Sequence, residues 1–230
     1  MLSSLYTAAS AIIAEQRRMD AVSNDTANVN TTGYKQQRTS FSDVLDGGVT
    51  ERSNGESGAQ GALEQTGEPF DLAIQGDGWF QVRRPGGQLA LTRDGSFRPD
   101  SYGRLGTAAG DRLEPPVTLP PGADPASVSV APDGTVTSAG TVIGKVNVVT
   151  VPAPAGLLAA GGGLRTPTAA SGAPQPAANA TVAQGALESS NVDLADTTVE
   201  SIEATASTAA ASAAFRAQDA MLAALIGLGN

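Results

Sequence analysis

The sequence contains no cysteine and no histidine. Without thiols there are no disulfides, no thiolate nucleophile and no soft zinc ligand; without imidazole the commonest general base and metal ligand is gone. Most hydrolase and metalloenzyme mechanisms are excluded on these grounds, and no cofactor is expected. The missing thiols do not assign a redox compartment, because a disulfide-free protein can live on either side of a membrane. Aromatic residues are scarce, 4% against a hydrophobic fraction of 40%, so the core has to be built from Ala, Val, Leu and Ile. Charged residues reach only 16%, and 23 acidic against 14 basic side chains give a net charge of −9. No basic run exceeds Arg17-Arg18 or Arg83-Arg84, so the stripe that nucleic acid needs for counterion release is lacking, and anionic membrane surfaces are disfavoured alike. No segment approaches the ~20 consecutive apolar residues that span a bilayer, so membrane insertion is not expected. A chain of 230 residues is long enough for one or two domains with a real core.

What is present changes character along the chain. From Leu2 to about Asn24, Leu2, Leu5, Ala9, Ile12 and Met19 recur at spacings of three and four, with Gln16 between the last two. That period predicts an amphipathic helix, widened by Tyr6, Ile13 and Val22. The periodicity runs past Glu15, and no positively charged leader precedes it, so this is a working helix and not a cleaved signal. Asn24, Asn28, Asn30 and Gly33 end it with residues that accept turn conformations. From about Leu63 to Val151 short stretches, Phe70 to Ile74, Trp79 to Val82, Leu89 to Thr92 and Val142 to Val151, read as strands divided by Gly76-Asp77-Gly78, Pro85-Gly86-Gly87, Asp94-Gly95 and Asp133-Gly134. Trp79 and Phe80 point to opposite faces of their strand, so one ring anchors the core. From near Asn191 to Leu228, Val199, Ile202, Ala206, Ala209, Ala213, Ala217, Ala220 and Ala224 predict a long Ala-lined helix. Asp193 is a candidate N-cap, with Thr197 and Glu200 as an alternative capping box.

The fold class expected is α+β: N- and C-terminal helices pairing as a coiled-coil-like element, with a β-rich domain inserted between them. The expected divisions are an assembly helix and signature loop at 1–45, a flexible passage at 46–61, a β-rich body at 62–151, an Ala/Gly/Pro-rich arm or linker at 152–184 and a second assembly helix at 185–230. Neither terminal helix has a full hydrophobic surround of its own, and an isolated amphipathic helix gains most of its stability by packing its apolar face. The economical solution is that the ends pack on each other and on neighbouring subunits.

Three segments carry a resemblance. ANVNTTGYK at Ala27 to Lys35, continued by FSDVL from Phe41, is the most specific; LEQTGEPFDLAIQGDGWFQV at Leu63 to Val82 with LTRDGSF at Leu91 to Phe97 is the second; GALESSNVDL at Gly185 to Leu194 is the third. With these the chain resembles the flagellar axial proteins of the rod, hook and hook junction. Its length and the LEQTG and SSNVDL features look closest to the distal rod subunit or its proximal-rod relative. The resemblance implies terminal helices lining a tubular shaft, an outer β domain, helical self-assembly with other axial proteins, signal-less export through the flagellar type III apparatus, a basal-body location and a non-enzymatic, torque-transmitting role. It departs at Ala204 to Gln218, ATASTAAASAAFRAQ, where only Phe215 and Arg216 match the family's Gln-Arg-Ala-Tyr-like helix core.

The residues expected at the assembly interface are Leu5, Ile12 and Met19 on the first helix and Asn28, Asn30, Thr32, Gly33, Tyr34 and Lys35 at the signature turn. Asn191, Val192, Asp193 and Leu194 follow at the entry to the last helix, and Val199, Ile202, Phe215, Met221 and Leu225 along it. Two other classes compete. A secreted fibre or adhesin with a β head and coiled-coil stalk predicts a cleaved signal or an anchor. A carboxylate hydrolase would draw on Asp77, Asp94, Asp100, Asp111 and Asp133, yet nearly all of these sit in hairpin-turn contexts and show no EF-hand spacing. Gly161-Gly162-Gly163 is not a phosphate loop, since Leu164-Arg165 follows where Lys-Ser/Thr would stand.

Overall fold

The computed structural model describes residues 2–44 and 48–227. The chain forms two compact units, one from Met1–Val29, Lys35–Ser57 and Val192–Asn230, the other from Asn30–Tyr34 and Gly58–Asn191. The architecture is α+β, with the β-rich unit inserted in sequence between the two terminal helices.

In the helical unit, α1 (Leu2–Ala27) pairs with α2 (Leu194–Gly227). Asp193 caps α2: its Oδ1 accepts from the Ala195 N–H at 2.7 Å and its carbonyl from the Thr197 N–H at 2.9 Å. The alternative start at Thr197 is not used, because the Thr197 hydroxyl donates to the Asp193 carbonyl at 3.0 Å and the side chain is fully buried. Thr198, Thr205 and Thr208 each return a hydroxyl to the carbonyl four residues earlier at 2.7 to 2.8 Å. This back-bonding lets a helix rich in hydroxyl residues run without stranding their polar groups.

Strand β1 (Gln37–Val44) pairs antiparallel with β2 (Gly48–Glu56), with a bulge at Ser40/Phe41. The passage expected to be flexible therefore contains a strand. A backbone ladder satisfies its own amides and needs no apolar alternation, so the hydrophobic pattern gives no sign of it. Asp25 of α1, only 1% exposed, accepts the first N–H of β1, at Gln37, at 3.0 Å.

The β unit is antiparallel throughout. Its nine-stranded sheet runs Leu158–Gly161, Leu164–Thr166, Leu89–Thr92, Trp79–Arg83, Arg112–Leu113, Leu105–Gly106, Arg98–Pro99, with Val148–Thr150 pairing both Trp79–Arg83 and Gln175–Pro176. A three-stranded sheet joins Val128–Val130, Thr135–Ser138 and Thr141–Lys145, and two short ladders pair Thr181–Gln184 with Leu72–Gln75 and Ala186–Glu188 with Leu63–Gln65. Leu72, Ile74, Phe80, Val82, Phe97, Leu105, Leu113, Val136 and Val146 are buried in one cluster, each contributing about 1.5–3 kcal/mol of transfer free energy. Phe80 is the anchoring ring, edge-on to Phe97 at 5.3 Å, while Trp79 on the opposite face is half-buried.

Two stretches differ from expectation. Val142 to Val151 divides at Val146-Asn147 into two strands, because the Val146 N–H turns to the Gly134 carbonyl at 2.8 Å. Residues 152–184, expected as an arm, carry strands that extend the body. Gly161, Gly162 and Gly163 all adopt positive φ, 82°, 59° and 73°, which makes a tight hairpin turn of what composition alone presents as a linker.

Candidate assembly interface

At about 100° per residue, α1 carries two three-four stripes on roughly opposite faces. Ala11, Ala14, Arg18, Ala21 and Asp25 form the face packed within the unit; Ala14, Ala21 and Asp25 are buried and Ala11 and Arg18 half-buried. The expected apolar stripe lies elsewhere: Ala9, Ile12 and Met19 are half-buried, Gln16 is exposed, and neighbouring Ile13 is 55% exposed. Met19 stands at the edge of that stripe, where the Ser201 hydroxyl of α2 donates to its sulfur at 3.8 Å.

Helix α2 divides in the same way. Its inward seam is small and hydroxyl-bearing: Thr197 and Ala204 buried, Ser201, Ser207, Thr208 and Ala211 half-buried. Val199 (54% exposed) and Ile202 (65%) open an outward stripe continued by the exposed Ala206, Ala209, Ala213, Ala217, Ala220 and Ala224. Phe215 and Met221 are exposed as well. The two helices are tied by polar bonds, Arg18 to Glu203 at 3.1 Å and the Ser207 hydroxyl to Glu15 Oε1 at 2.8 Å. Among the described residues no partner meets the buried Oε2 of Glu15. The side chains of Leu5 and Leu225 lie outside the described residues, as do those of Leu2, Tyr6, Phe41, Val44, Leu222 and Ile226, and Leu45 and Gly229 altogether.

Within the β unit, all three motif segments meet at one junction. Its centre is the ion pair of Arg93 and Glu188, 3.0 Å apart with side chains 8% and 0% exposed. Glu188 Oε1 also accepts from the Gly61 N–H at 3.1 Å, and Arg93 Nη2 donates to the Gly76 carbonyl at 2.9 Å. Gly33 of the signature turn donates its N–H to the Glu188 carbonyl at 2.7 Å. Its φ is +67°, and a Cβ there would stand 2.6 Å from the Arg93 carbonyl carbon, so only glycine fits. Asn191 donates its N–H to the Tyr34 carbonyl at 3.3 Å and its Nδ2 to the Ala59 carbonyl at 2.8 Å.

Gly33, Tyr34 and Asn191 are thus inside this junction. Thr32 is half-buried and Asn30 exposed in the same turn. In the helical unit, Asn28 closes α1 by donating Nδ2 to the Asn24 carbonyl at 2.8 Å, Lys35 is half-buried, Val192 is buried, and Leu194 is 52% exposed. Sequence reasoning missed Asp25, Arg93 and Glu188; a lone charge ending the short strand Ala186–Glu188 was the available signal for Glu188 alone.

Three of the aspartates singled out as possible acids serve turns. Asp94, Asp100 and Asp133 each accept the amide two residues on, from Ser96 at 2.9 Å, Tyr102 at 2.8 Å and Thr135 at 3.0 Å. Asp111 packs beside Thr107 and Arg84. The Arg104 guanidinium on the Asp100 carboxylate holds its pKa at about 2.

A family model described as "Flagella basal body rod protein" matches residues 5–35, one for the "Flagellar hook protein FlgE/F/G D1 domain" matches 73–138, and one for the "Flagellar basal body rod FlgEFG protein C-terminal" matches 183–228. The flagellar basal-body rod protein FlgG of Borreliella burgdorferi is 32% identical over 96% of this chain and 97% of its own length. The chain belongs to the flagellar basal-body rod protein family. FlgG of Buchnera aphidicola from Acyrthosiphon pisum is 32% identical over 88% of this chain and 90% of that protein. FlgF of Caulobacter vibrioides is 33% identical over 84% and 83%. This is a structural, non-enzymatic family of the flagellar basal body, and its members give no support to the fibre-adhesin alternative. The first family match ends at Lys35, the last residue of ANVNTTGYK, and the third begins two residues before GALESSNVDL. Among the described residues no helix is long and apolar enough to cross a membrane.

Proposed function

We propose that this chain polymerises through its helical ends, with copies of itself and with other axial proteins, into the rod that carries torque from motor to hook, and that it reaches the rod through the flagellar type III export apparatus. One observation carries the assembly reading. The seam between α1 and α2 is made of alanines, hydroxyls and polar bonds, while Val199, Ile202 and Met221 are left facing outward. Large apolar side chains on the outer face of a helix that already has an inner partner have no stabilising role in the single chain; burial between copies gives them one. The working residues are then Ile12, Val199, Ile202 and Met221, with Met19 at the flank of the α1 stripe. Phe215 lies in line with Thr197 on the seam side of α2, and it joins the proposal, with Leu5 and Leu225, as a contact toward the helix ends. The signature residues Asn28, Asn30, Thr32, Gly33, Tyr34 and Lys35, with Asn191, Val192, Asp193 and Leu194, set the path of the chain between its two units. Torque needs many contacts and no turnover, which agrees with a chain that has neither His nor Cys.

Deleting the gene and imaging purified basal bodies tests this. The expected result is a shaft lacking an axial segment and a non-swimming cell, both restored by the intact chain. Normal swimming with complete shafts would refute it.

A further inference from the structure

The β unit carries an organised row of arginines on an otherwise acidic chain. Arg83 and Arg112 are register partners on adjacent strands, Arg112 pairs on its other side with Gly106, and Gly106 pairs in turn with Arg98. Register partners project from one face of a sheet. The neighbouring pair, Val82 and Leu113, is buried in the core, so the arginine row faces outward, with side chains 49%, 51% and 55% exposed for Arg83, Arg112 and Arg98. Like charges directly opposite destabilise a sheet. Here they are held by carboxylates: Arg83 to Glu114 at 2.8 Å, Arg98 to Asp71 at 3.2 Å, and Arg112 to Asp100 at 4.0 Å, a carboxylate that Arg104 already engages at 2.7 Å. Only Arg83 and Arg112 stand directly opposite each other, and Arg112 is the least satisfied member of the row.

The complementary surface is on the same molecule's other unit, whose sequence holds twelve acidic and six basic residues. Asp193, Asp196, Glu200 and Glu203 recur at spacings of three and four; Asp193, Asp196 and Glu203 are exposed, although Asp193 also caps α2 and Glu203 also reaches Arg18. At 1.5 Å per residue this acidic face is ~15 Å long. Strands ~4.8 Å apart put Arg112 about 5 Å from Arg83 and about 10 Å from Arg98, a row of ~14 Å with its gap at Gly106. Length, spacing and sign match.

We propose that the arginine row of the β unit docks on the acidic opening face of α2 in a second copy of this chain. The inference rests on the self-assembly reading above and adds a β-to-helix contact to the helical ones.

The absence of cysteine makes the test clean. Two copies are co-expressed, one Arg112→Cys and the other Glu200→Cys, and oxidised under assembling conditions. A disulfide-linked heterodimer is expected; it is lost when Arg83→Glu and Arg98→Glu are added to the first copy, and regained when Asp196→Lys is added to the second. Sedimentation of the unaltered chain is the companion measurement. If the chain associates but no heterodimer forms, the docking is refuted and the assembly reading stands, even where arginine reversal disturbs association, since the row then meets another surface. A disulfide closed within a single chain carrying both substitutions, with no heterodimer, refutes it equally. If the unaltered chain sediments as a monomer at every concentration, both readings fail.

Discussion

Removing the carboxylate of Glu188 strikes the point where all three motif segments converge. In Glu188→Ala the Arg93 guanidinium stays buried without its counterion, and the Gly61 N–H loses its acceptor. Breaking a buried pair from one side costs about 3–5 kcal/mol, and an amide left unsatisfied keeps the figure at the upper half of that range, ~4 kcal/mol. At roughly 2–4 °C per kcal/mol for a chain of this size, the melting temperature falls by ~8–16 °C. Glu188→Gln retains an acceptor for Gly61 but still strands the guanidinium, so it falls between wild type and Glu188→Ala. Pairing Arg93→Met with Glu188→Leu removes both charges and recovers more than half of the loss, because apolar replacement of a buried pair is often neutral. The single tryptophan, Trp79, sits in the nine-stranded sheet and reports the melt by fluorescence. A drop below about 3 °C for Glu188→Ala, under about 1 kcal/mol on the same scale, or a double variant no more stable than the single one, refutes the argument.

Gly33→Ala places a Cβ against the Arg93 backbone at positive φ and is expected to cost ~2 kcal/mol or more in the same melt. Asp193→Ala removes the α2 cap and lowers helix stability by about 1 kcal/mol, seen as loss of far-ultraviolet ellipticity on heating. Asp100, held at about 2 by Arg104, stabilises the fold fully above its ordinary carboxylate range near 3.8 and loses that contribution as pH falls toward 2. The stability difference between wild type and Asp100→Asn therefore shrinks across that window, as acid-titrated denaturation will record.

The helices were legible because a three-four period over many residues is a strong signal, and Asp193 because a capping aspartate stands directly before one. The side of each helix that packs within the chain was not. The largest apolar residues, Leu5, Ile12, Val199 and Ile202, dominate the pattern, whereas the intramolecular seam uses Ala14, Ala21, Thr197 and Ala204, small residues that carry little hydrophobic contrast. Strands of four or five residues around Phe80 and Leu91 were visible; those at 152–184 were hidden in a composition of Ala, Gly and Pro, where the turn-forming φ of three glycines matters more than side-chain pattern. The junction was half visible. Its motifs stood out, but Arg93 and Glu188 are joined across 95 residues of chain, and no local period reports such a pairing.

On the proposed function, the outward stripe of α2 exists for neighbouring copies. Val199→Asp with Ile202→Asp isolates it, since both side chains are exposed in the single chain and their replacement is expected to shift stability by less than ~1 kcal/mol. Sedimentation velocity of this variant against wild type, at matched melting temperatures, should show a monomer where wild type associates. Association equal to wild type would contradict the account.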